Sequence, residues 1–86
     1  MFICGDLLLL DEYDNKNNIE YKKTLMTYFL CGFHPEEACE SLSIHRNTLY
    51  YRLNRIEEIL KHDLKDVEYL ATMYFTDKFR KDDAPL

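Results

Sequence analysis

Three polar residues with hydrogen-bonding side chains stand in a row where an amphipathic segment begins. They are Arg46, Asn47 and Thr48, directly after His45. An arginine side chain can donate two parallel hydrogen bonds to the edge of a guanine, and an asparagine can pair in the same way with an adenine. A threonine hydroxyl and the free backbone N–H groups at a helix start suit a phosphate. These residue types, in this order, therefore indicate contact with the edges and backbone of a nucleic acid.

Four residues further along the same segment could extend that contact, namely Tyr50, Tyr51, Arg52 and Arg55. Tyrosines can stack on sugars or donate to phosphates, and the two arginines lie where a groove would curve away, which favours phosphate over bases. Alternatives stay open for both pairs. The arginines could be solvated or paired with acids such as Glu58, and the tyrosines could form a dimer surface. His45 belongs to the candidate set, although it projects toward the core side of the helical wheel and could pack or cap instead.

The segment that would position these side chains has the clearest apolar stripe in the chain. Its members recur at helical spacing within a narrow arc: Leu49, Leu53, Ile56 and Leu60. The stripe predicts a helix over residues 45–61. The residues on its opposite side are then Asn47, Tyr51, Asn54 and Glu58.

A short helix is predicted directly before this one, over residues 35–42. Proline is favoured at the first helical position, which Pro35 would occupy, and Glu36 and Glu37 would meet the positive end of the helix dipole. Ser43 and Ile44 form a tight break. A short helix, a tight turn and a second helix with one buried and one polar face are what a helix-turn-helix requires.

The remaining elements are predicted from apolar periodicity and turn residues. A first helix covers residues 6–12 and ends at the polar cluster 14–18, and a second covers about 19–31 and ends before Gly32. A last helix covers about 67–80, with Asp63 or Asp66 as its N-cap. Its predicted core face consists of Val67, Leu70, Ala71, Tyr74 and Phe75.

No segment alternates at period two, so the fold class is all-α, a small bundle of four to five helices containing the helix-turn-helix. Three ranges follow: a lead-in helix and turn (1–18), the helix-turn-helix domain (19–80) and a frayed tail (81–86).

Charge is distributed unevenly along the 86 residues, whose net charge is −5. Residues 1–44 carry three lysines against eight acids, and residues 62–86 carry four bases against six acids. Residues 45–61, which we call the basic island, carry four bases against two acids. Phosphate contacts need cations. The only net positive segment is therefore the one with the candidate residues, and its acidic flanks should weaken non-specific binding.

Several classes of protein are excluded by what the sequence lacks. The three cysteines form no CxxC pair and predict reduced thiols, with Cys39 as a small core residue, and the three histidines have no metal-site spacing. We expect no metal, no cofactor and no small-molecule ligand. The sequence contains no nucleophile–base pair and no glycine-rich phosphate loop that would indicate an enzyme. No apolar run is long enough for a membrane span and no secretory signal is evident.

The segment SLSIHRNTLYYRLNRIEEIL, residues 41–60, closely resembles the C-terminal helix-turn-helix of the PucR family of bacterial transcriptional regulators, which includes the sugar-diacid regulators. The family run is H-R-N-T-L, one variable residue, Y-R-L, one variable residue, R-I. The matching positions are His45, Arg46, Asn47, Thr48, Leu49, Tyr51, Arg52, Leu53, Arg55 and Ile56. Two departures stand out: Tyr50, where arginine is frequent, and Lys61–His62, where glycine is frequent.

The resemblance extends at lower specificity over about residues 7–79. Tyr13 and Asp14, then Thr24 and Leu25, match the approach to the motif, and a further group matches the segment after it: Asp63, Leu64 and Asp66. The motif is also similar to the DNA-binding end of the factor for inversion stimulation.

The resemblance implies a cytoplasmic, nucleoid-associated bacterial domain that binds double-stranded DNA as a homodimer. The alternative is a helical interaction module with weak or lost DNA binding.

Overall fold

Five helices make up the protein in the computed structural model, which describes residues 3–82 and, of these, the side chains of residues 5–79. They are α1 (Ile3–Asn17), α2 (Tyr21–Leu30), α3 (Pro35–Leu42), α4 (Arg46–Leu60) and α5 (Val67–Asp82). Residues 3–82 contain no strand. The prediction of a small all-α bundle is confirmed. The predicted bounds of α3 are met, and those of α2 and α4 differ by one or two residues.

The prediction for α1 was too short. The polar cluster at 14–18 does not end this helix early. Asp14 remains helical, and its carboxylate accepts hydrogen bonds from the backbone N–H groups of Tyr21 and Lys22, at 2.9 and 3.0 Å. The carboxylate thereby satisfies N–H groups that the start of α2 leaves without helical partners. The chain turns only at Asn18, which adopts a left-handed conformation with φ 55°. Asparagine tolerates that conformation better than most residues.

The core lies between all five helices. Its fully buried members include Leu7 and Leu10 of α1, Leu25 of α2 and Ala38 of α3. The predicted stripe of α4 is buried as expected, with Leu49 and Ile56 inaccessible to solvent and the other two at most 8% exposed. Burial of each large aliphatic side chain contributes about 1.5–3 kcal/mol. Because α1 packs against α2, α4 and α5, the predicted lead-in helix shares this core.

The predicted core face of α5 was partly wrong. Val67 and Phe75 are each 54% exposed, while the buried face contains Tyr69, Leu70 and Met73. The polar members of that face explain the difference. The hydroxyl of Tyr69 donates a 2.5 Å hydrogen bond to Asp6, and the buried carboxylate of Asp77 accepts one from Lys22 at 3.1 Å. A buried polar group is tolerated when it is hydrogen-bonded, and such partners cannot be inferred from hydrophobic periodicity.

The C-terminal end of the chain is described only in part. The helix α5 continues through Asp82, whereas residues 83–86 of the predicted frayed tail lie outside the described residues. Among residues 3–82, no helix combines the length and apolar character needed to cross a bilayer.

Candidate nucleic-acid interface

The helices α3 and α4 are joined by a tight left-handed turn. Ser43 adopts φ 56°, and its backbone N–H donates to the carbonyl of Glu40 at 3.2 Å. The N–H of Ile44 donates to the carbonyl of Cys39 at 3.1 Å. These bonds satisfy the carbonyl groups that the end of α3 leaves free. Ala38 is fully buried and allows a close approach of α3 to the core.

The N-terminus of α4 is capped by His45. Its backbone is extended, with φ −76° and ψ 154°, and its Nδ1 accepts a 3.1 Å hydrogen bond from the backbone N–H of Asn47. A side-chain acceptor two residues before a helical N–H is the arrangement of an N-cap. His45 is exposed, so it does not pack in the core. Capping, one of its two alternative roles, is confirmed, and it fixes the conformation of the turn that begins with Arg46.

The polar side of α4 faces solvent along its whole length. The residues predicted opposite the buried stripe are all exposed: Asn47, Tyr51, Asn54 and Glu58. Thr48 is half-buried beside them. Tyr51 is 61% exposed and Tyr50 is 43% exposed. Successive residues of a helix are separated by about 100°, and Tyr50 lines a groove with Tyr28 of α2. The two tyrosines therefore lie on different sides of α4.

Arg46 is held loosely at the start of this face. Its Nη2 lies 3.4 Å from Oε1 of Glu36 in the first turn of α3. The two side chains are 52% and 86% exposed. Exposed ion pairs contribute little free energy because solvent screens them. The guanidinium of Arg46 is therefore free to exchange this partner for another.

Arg52 and Arg55, in contrast, are bonded to other helices. Arg52 Nη1 donates to the hydroxyl of Thr24 in α2 at 3.0 Å. Arg55 Nη2 donates to the hydroxyl of Tyr13 in α1 at 2.6 Å, and its Nη1 donates to Glu58 at 2.5 Å. The bonds to Glu58 and then Tyr13 raise the pKa of Arg55 above its usual range. Pairing with Glu58, an alternative that the sequence left open for Arg55, is confirmed.

Two of these partners, Tyr13 and Thr24, were not among the predicted functional residues. Tyr13 lies 42 residues from Arg55, and Thr24 lies 28 residues from Arg52. No local spacing in the sequence could therefore indicate these contacts. The only signal for them in the sequence is that both fall in the segments that resemble the approach to the family motif.

The helix α4 is followed by a residue whose backbone conformation is unusual for a residue other than glycine. Lys61 adopts a left-handed conformation, with φ 54° and ψ 42°, which glycine adopts more readily than a residue with a Cβ atom. Its N–H donates to the carbonyl of Glu57 at 2.7 Å, and the carboxylate of Glu57 accepts from the backbone N–H of Leu64 at 3.0 Å. The helix therefore stops at Leu60 even without glycine.

The predicted N-cap Asp66 is confirmed at the start of α5. Its carboxylate accepts from the backbone N–H of Tyr69 at 3.1 Å and lies 3.0 Å from Nε2 of His62. The contact with His62, followed by the bond from Tyr69, lowers the pKa of Asp66. The His62 ring also stacks on that of Tyr69, with centroids 3.6 Å apart. These contacts fix the connection between α4 and α5.

Within residues 5–79, the acidic, histidine and cysteine side chains form no cluster that could hold a metal ion. Cys31 and Cys39 are free thiols and are half-buried.

Comparison with known proteins identifies the domain. Residues 21–76 match the model of the PucR C-terminal helix-turn-helix domain. The chain is 39% identical over 69 residues to the proline-responsive transcriptional activator PutR of Bacillus subtilis (strain 168) and 37% identical over 71 residues to the DNA-binding transcriptional activator AdeR of the same organism. It is 40% identical over 58 residues to the carbohydrate diacid regulator of Escherichia coli (strain K12).

These matches cover 67% to 83% of this chain but only 15% to 17% of the relatives. No solved structure matches significantly. The matched segment contains α3, the turn and α4 whole, and the relatives that it matches are transcriptional regulators. The chain belongs to the PucR family of transcriptional regulators, and it contains that family's C-terminal, DNA-binding helix-turn-helix domain.

Proposed function

We propose that this domain recognises a specific sequence in double-stranded DNA by placing α4 in the major groove. The observation that supports this most directly is the N-terminal turn of α4, where three exposed or half-exposed polar residues follow the His45 cap. The major groove is about 12 Å wide and admits one helix. In a helix-turn-helix the N-terminal residues of the second helix contact the base edges, and here those are residues 46–48.

Each residue of this turn has a distinct proposed role. Arg46 donates to a guanine and Asn47 pairs with an adenine. Thr48 and the first backbone N–H groups of α4 bind a phosphate. His45 orders the turn through its cap, and Tyr50 and Tyr51 contact the sugar–phosphate backbone. The sequence also predicts phosphate contacts for Arg52 and Arg55. We leave both out of the proposed DNA contacts, since their guanidinium groups donate to hydroxyl groups of α2 and α1.

We also propose that the domain acts as a homodimer. One short helix contacts too few base pairs for specificity, and two copies would read half-sites about 34 Å apart, or a multiple of that distance. We place it in the bacterial cytoplasm with the nucleoid, where its DNA is, and expect it to act by binding and not by catalysis. The name of PutR includes a response to proline, but the match covers only 17% of that protein. We therefore propose no proline response for this chain.

Selection of bound duplexes from a random DNA pool tests the proposal. Enrichment of an inverted repeat would support both the specific binding and the dimer. A pool that stays random after repeated rounds would contradict specific recognition.

A protein-interaction module remains the second candidate, because Tyr51 is 61% exposed in the middle of the polar face. A salt titration separates the two. The affinity of a DNA-binding domain falls as salt rises, whereas a protein-contact module has no such slope on DNA.

A further inference from the structure

The buried side of α4 is apolar, and it orients the helix on the core without fixing its rotation finely. Its four buried side chains are aliphatic, among them Leu49 and Ile56. Apolar burial is non-directional, since its free energy depends on the area removed from water. A base-reading helix needs more than this, because hydrogen bonds to base edges require defined distances and angles. Hydrogen bonds from α4 to α1 and α2 supply this direction.

The first directional contact is between Arg55 and Tyr13. The guanidinium donates to the Tyr13 hydroxyl at 2.6 Å and also lies 5.9 Å from the centre of the Tyr13 ring. The ring stacks on that of Tyr21, with centroids 5.8 Å apart and planes 14° from parallel. Tyr21 is 6% exposed, and its backbone N–H is bonded to Asp14. The corner between α1 and α2 thus determines where the Tyr13 hydroxyl lies.

The second directional contact is between Arg52 and Thr24. Thr24 is inaccessible to solvent, and its hydroxyl donates its proton to the carbonyl of Glu20 at 2.8 Å. Its oxygen therefore offers a lone pair to Arg52 Nη1, which donates at 3.0 Å. Because a hydroxyl has one proton, this orientation leaves Thr24 as the acceptor. A fixed acceptor in α2 holds the middle of α4.

We propose that Tyr13 and Thr24 are positioning residues for DNA recognition, and that Arg55 and Arg52 act as internal ties to them and not as phosphate contacts. The inference rests on the proposed function. Two ties about one helical turn apart, to two different helices, oppose rotation and sliding of α4. They thereby set the direction in which residues 46–48 leave the protein surface. In this arrangement α1 has a part in recognition although it lies outside the helix-turn-helix.

The charge available to DNA is then smaller than the sequence suggests. Of the four cations of the basic island, Arg52 and Arg55 are committed to hydroxyl groups, and Arg55 also pairs with Glu58. Arg46 and Lys61 remain for phosphates or bases. Each neutralised phosphate contributes about −0.9 to the slope of log affinity against log salt. Removing Arg52 or Arg55 should therefore leave that slope unchanged.

The test compares Tyr13→Phe, Arg55→Lys and Arg55→Ala with the wild type on two duplexes of equal length, one enriched by selection and one of mixed sequence. We expect Tyr13→Phe to lower affinity for the selected duplex by up to about three- to tenfold, because binding must then supply the free energy that this one hydrogen bond contributes to orienting α4. Affinity for the mixed duplex and both salt slopes should not change. Arg55→Lys should behave like Tyr13→Phe, because lysine keeps the charge but lacks the planar fork of donors.

Two controls separate positioning from stability. Tyr74→Phe removes a hydroxyl from α5, where the ring packs against Phe29, and should bind like the wild type. Thr24→Ser keeps the acceptor and should bind like the wild type, whereas Thr24→Val should lose affinity for the selected duplex. Circular dichroism establishes the folded fraction of every variant at the temperature of the binding measurement.

Three outcomes would overturn the inference. The first is that folded Tyr13→Phe and Thr24→Val bind the selected duplex with wild-type affinity. The two hydroxyl groups would then contribute to the stability of the fold and not to DNA recognition. Another is a salt slope reduced by about 0.9 in Arg55→Ala on both duplexes together with wild-type binding of Arg55→Lys, as for a phosphate contact. The third is a wild-type protein that binds both duplexes equally. It would overturn the proposed function as well, and it is recognised before any variant is measured.

Discussion

Arg46 and Glu36 face each other across the turn of the helix-turn-helix, with Nη2 and Oε1 3.4 Å apart. Glu36 stands in the first turn of α3 with Glu37, and the first helix of a helix-turn-helix crosses the DNA backbone. An acidic residue is thus placed next to the arginine proposed to read a base. In the free protein Glu36 forms an exposed ion pair with Arg46. On DNA its carboxylate would repel the phosphates, so Glu36 should reduce binding to sequences that offer Arg46 no specific partner.

Replacing Arg46 tests its role as a base-reading residue. Arg46→Ala should cost about 1–3 kcal/mol of binding free energy on the selected duplex and relax the preference at one base position, since a bidentate contact to a guanine is lost. Competition binding against single-base variants of the selected duplex measures both effects. Equal affinity of Arg46→Ala and the wild type for the selected duplex would contradict the assignment.

Replacing Glu36 should have the opposite effect on affinity. Glu36→Gln frees Arg46 and removes a negative charge near the DNA backbone, so we expect binding to mixed-sequence DNA to tighten about two- to fivefold at low salt, with less gain as salt screens the charge. Glu68→Gln is the matched control, because Glu68 is exposed in the first turn of α5, which does not pack against α4. A similar gain in both variants would indicate a net-charge effect and not a local one.

The end of α4 predicts a stabilising substitution. Lys61 adopts φ 54°, a conformation that costs a residue with a Cβ atom about 1 kcal/mol or more. Lys61→Gly should raise the free energy of unfolding by about 0.5–1 kcal/mol, after allowance for the greater freedom of glycine in the unfolded chain. Lys61→Ala removes the same charge but keeps the Cβ atom and should show no such gain. Urea unfolding of the three proteins measures the difference, and a gain in Lys61→Ala as large as that in Lys61→Gly would refute the explanation.

The contacts of α1 and α5 predict loss of stability at alkaline pH. Burial, and then the hydrogen bond to Asp6, raise the pKa of Tyr69 above its usual value of 10.0. Burial opposes the charge on Lys22, but the carboxylates of Asp11 and Asp77 outweigh it and raise the pKa of Lys22 above 10.5. Above these values the unfolded chain binds fewer protons than the folded protein, so stability falls as pH rises.

Unfolding in urea at a series of pH values measures this effect. The free energy of unfolding should begin to fall above about pH 10, where free tyrosine and then lysine lose their protons. In Tyr69→Phe the fall should be smaller, although this variant also starts from lower stability because the bond to Asp6 is lost. The same pH dependence in Tyr69→Phe and the wild type would contradict the role assigned to Tyr69.

Much of the candidate site could be predicted because its signals are local. Pro35 and the acids after it mark the start of α3, and the stripe from Leu49 to Leu60 marks the buried face of α4. The N-terminal turn at residues 46–48 follows directly from these two elements. The misassigned core face of α5 shows where such signals fail, because Tyr69 and Asp77 are buried through polar partners in α1 and α2.

The sequence by itself determined the helices, the turn and the family, because helical periodicity, caps and a contiguous motif are all written within a few neighbouring residues. Only the tertiary structure decided what the motif arginines do. In the sequence, Arg52 and Arg55 are two cations of a basic island, placed where they would contact phosphates. In the fold, hydroxyl groups 28 and 42 residues away bind them. Hydrogen bonds between distant residues depend on how the helices pack, and no spacing along the chain encodes them.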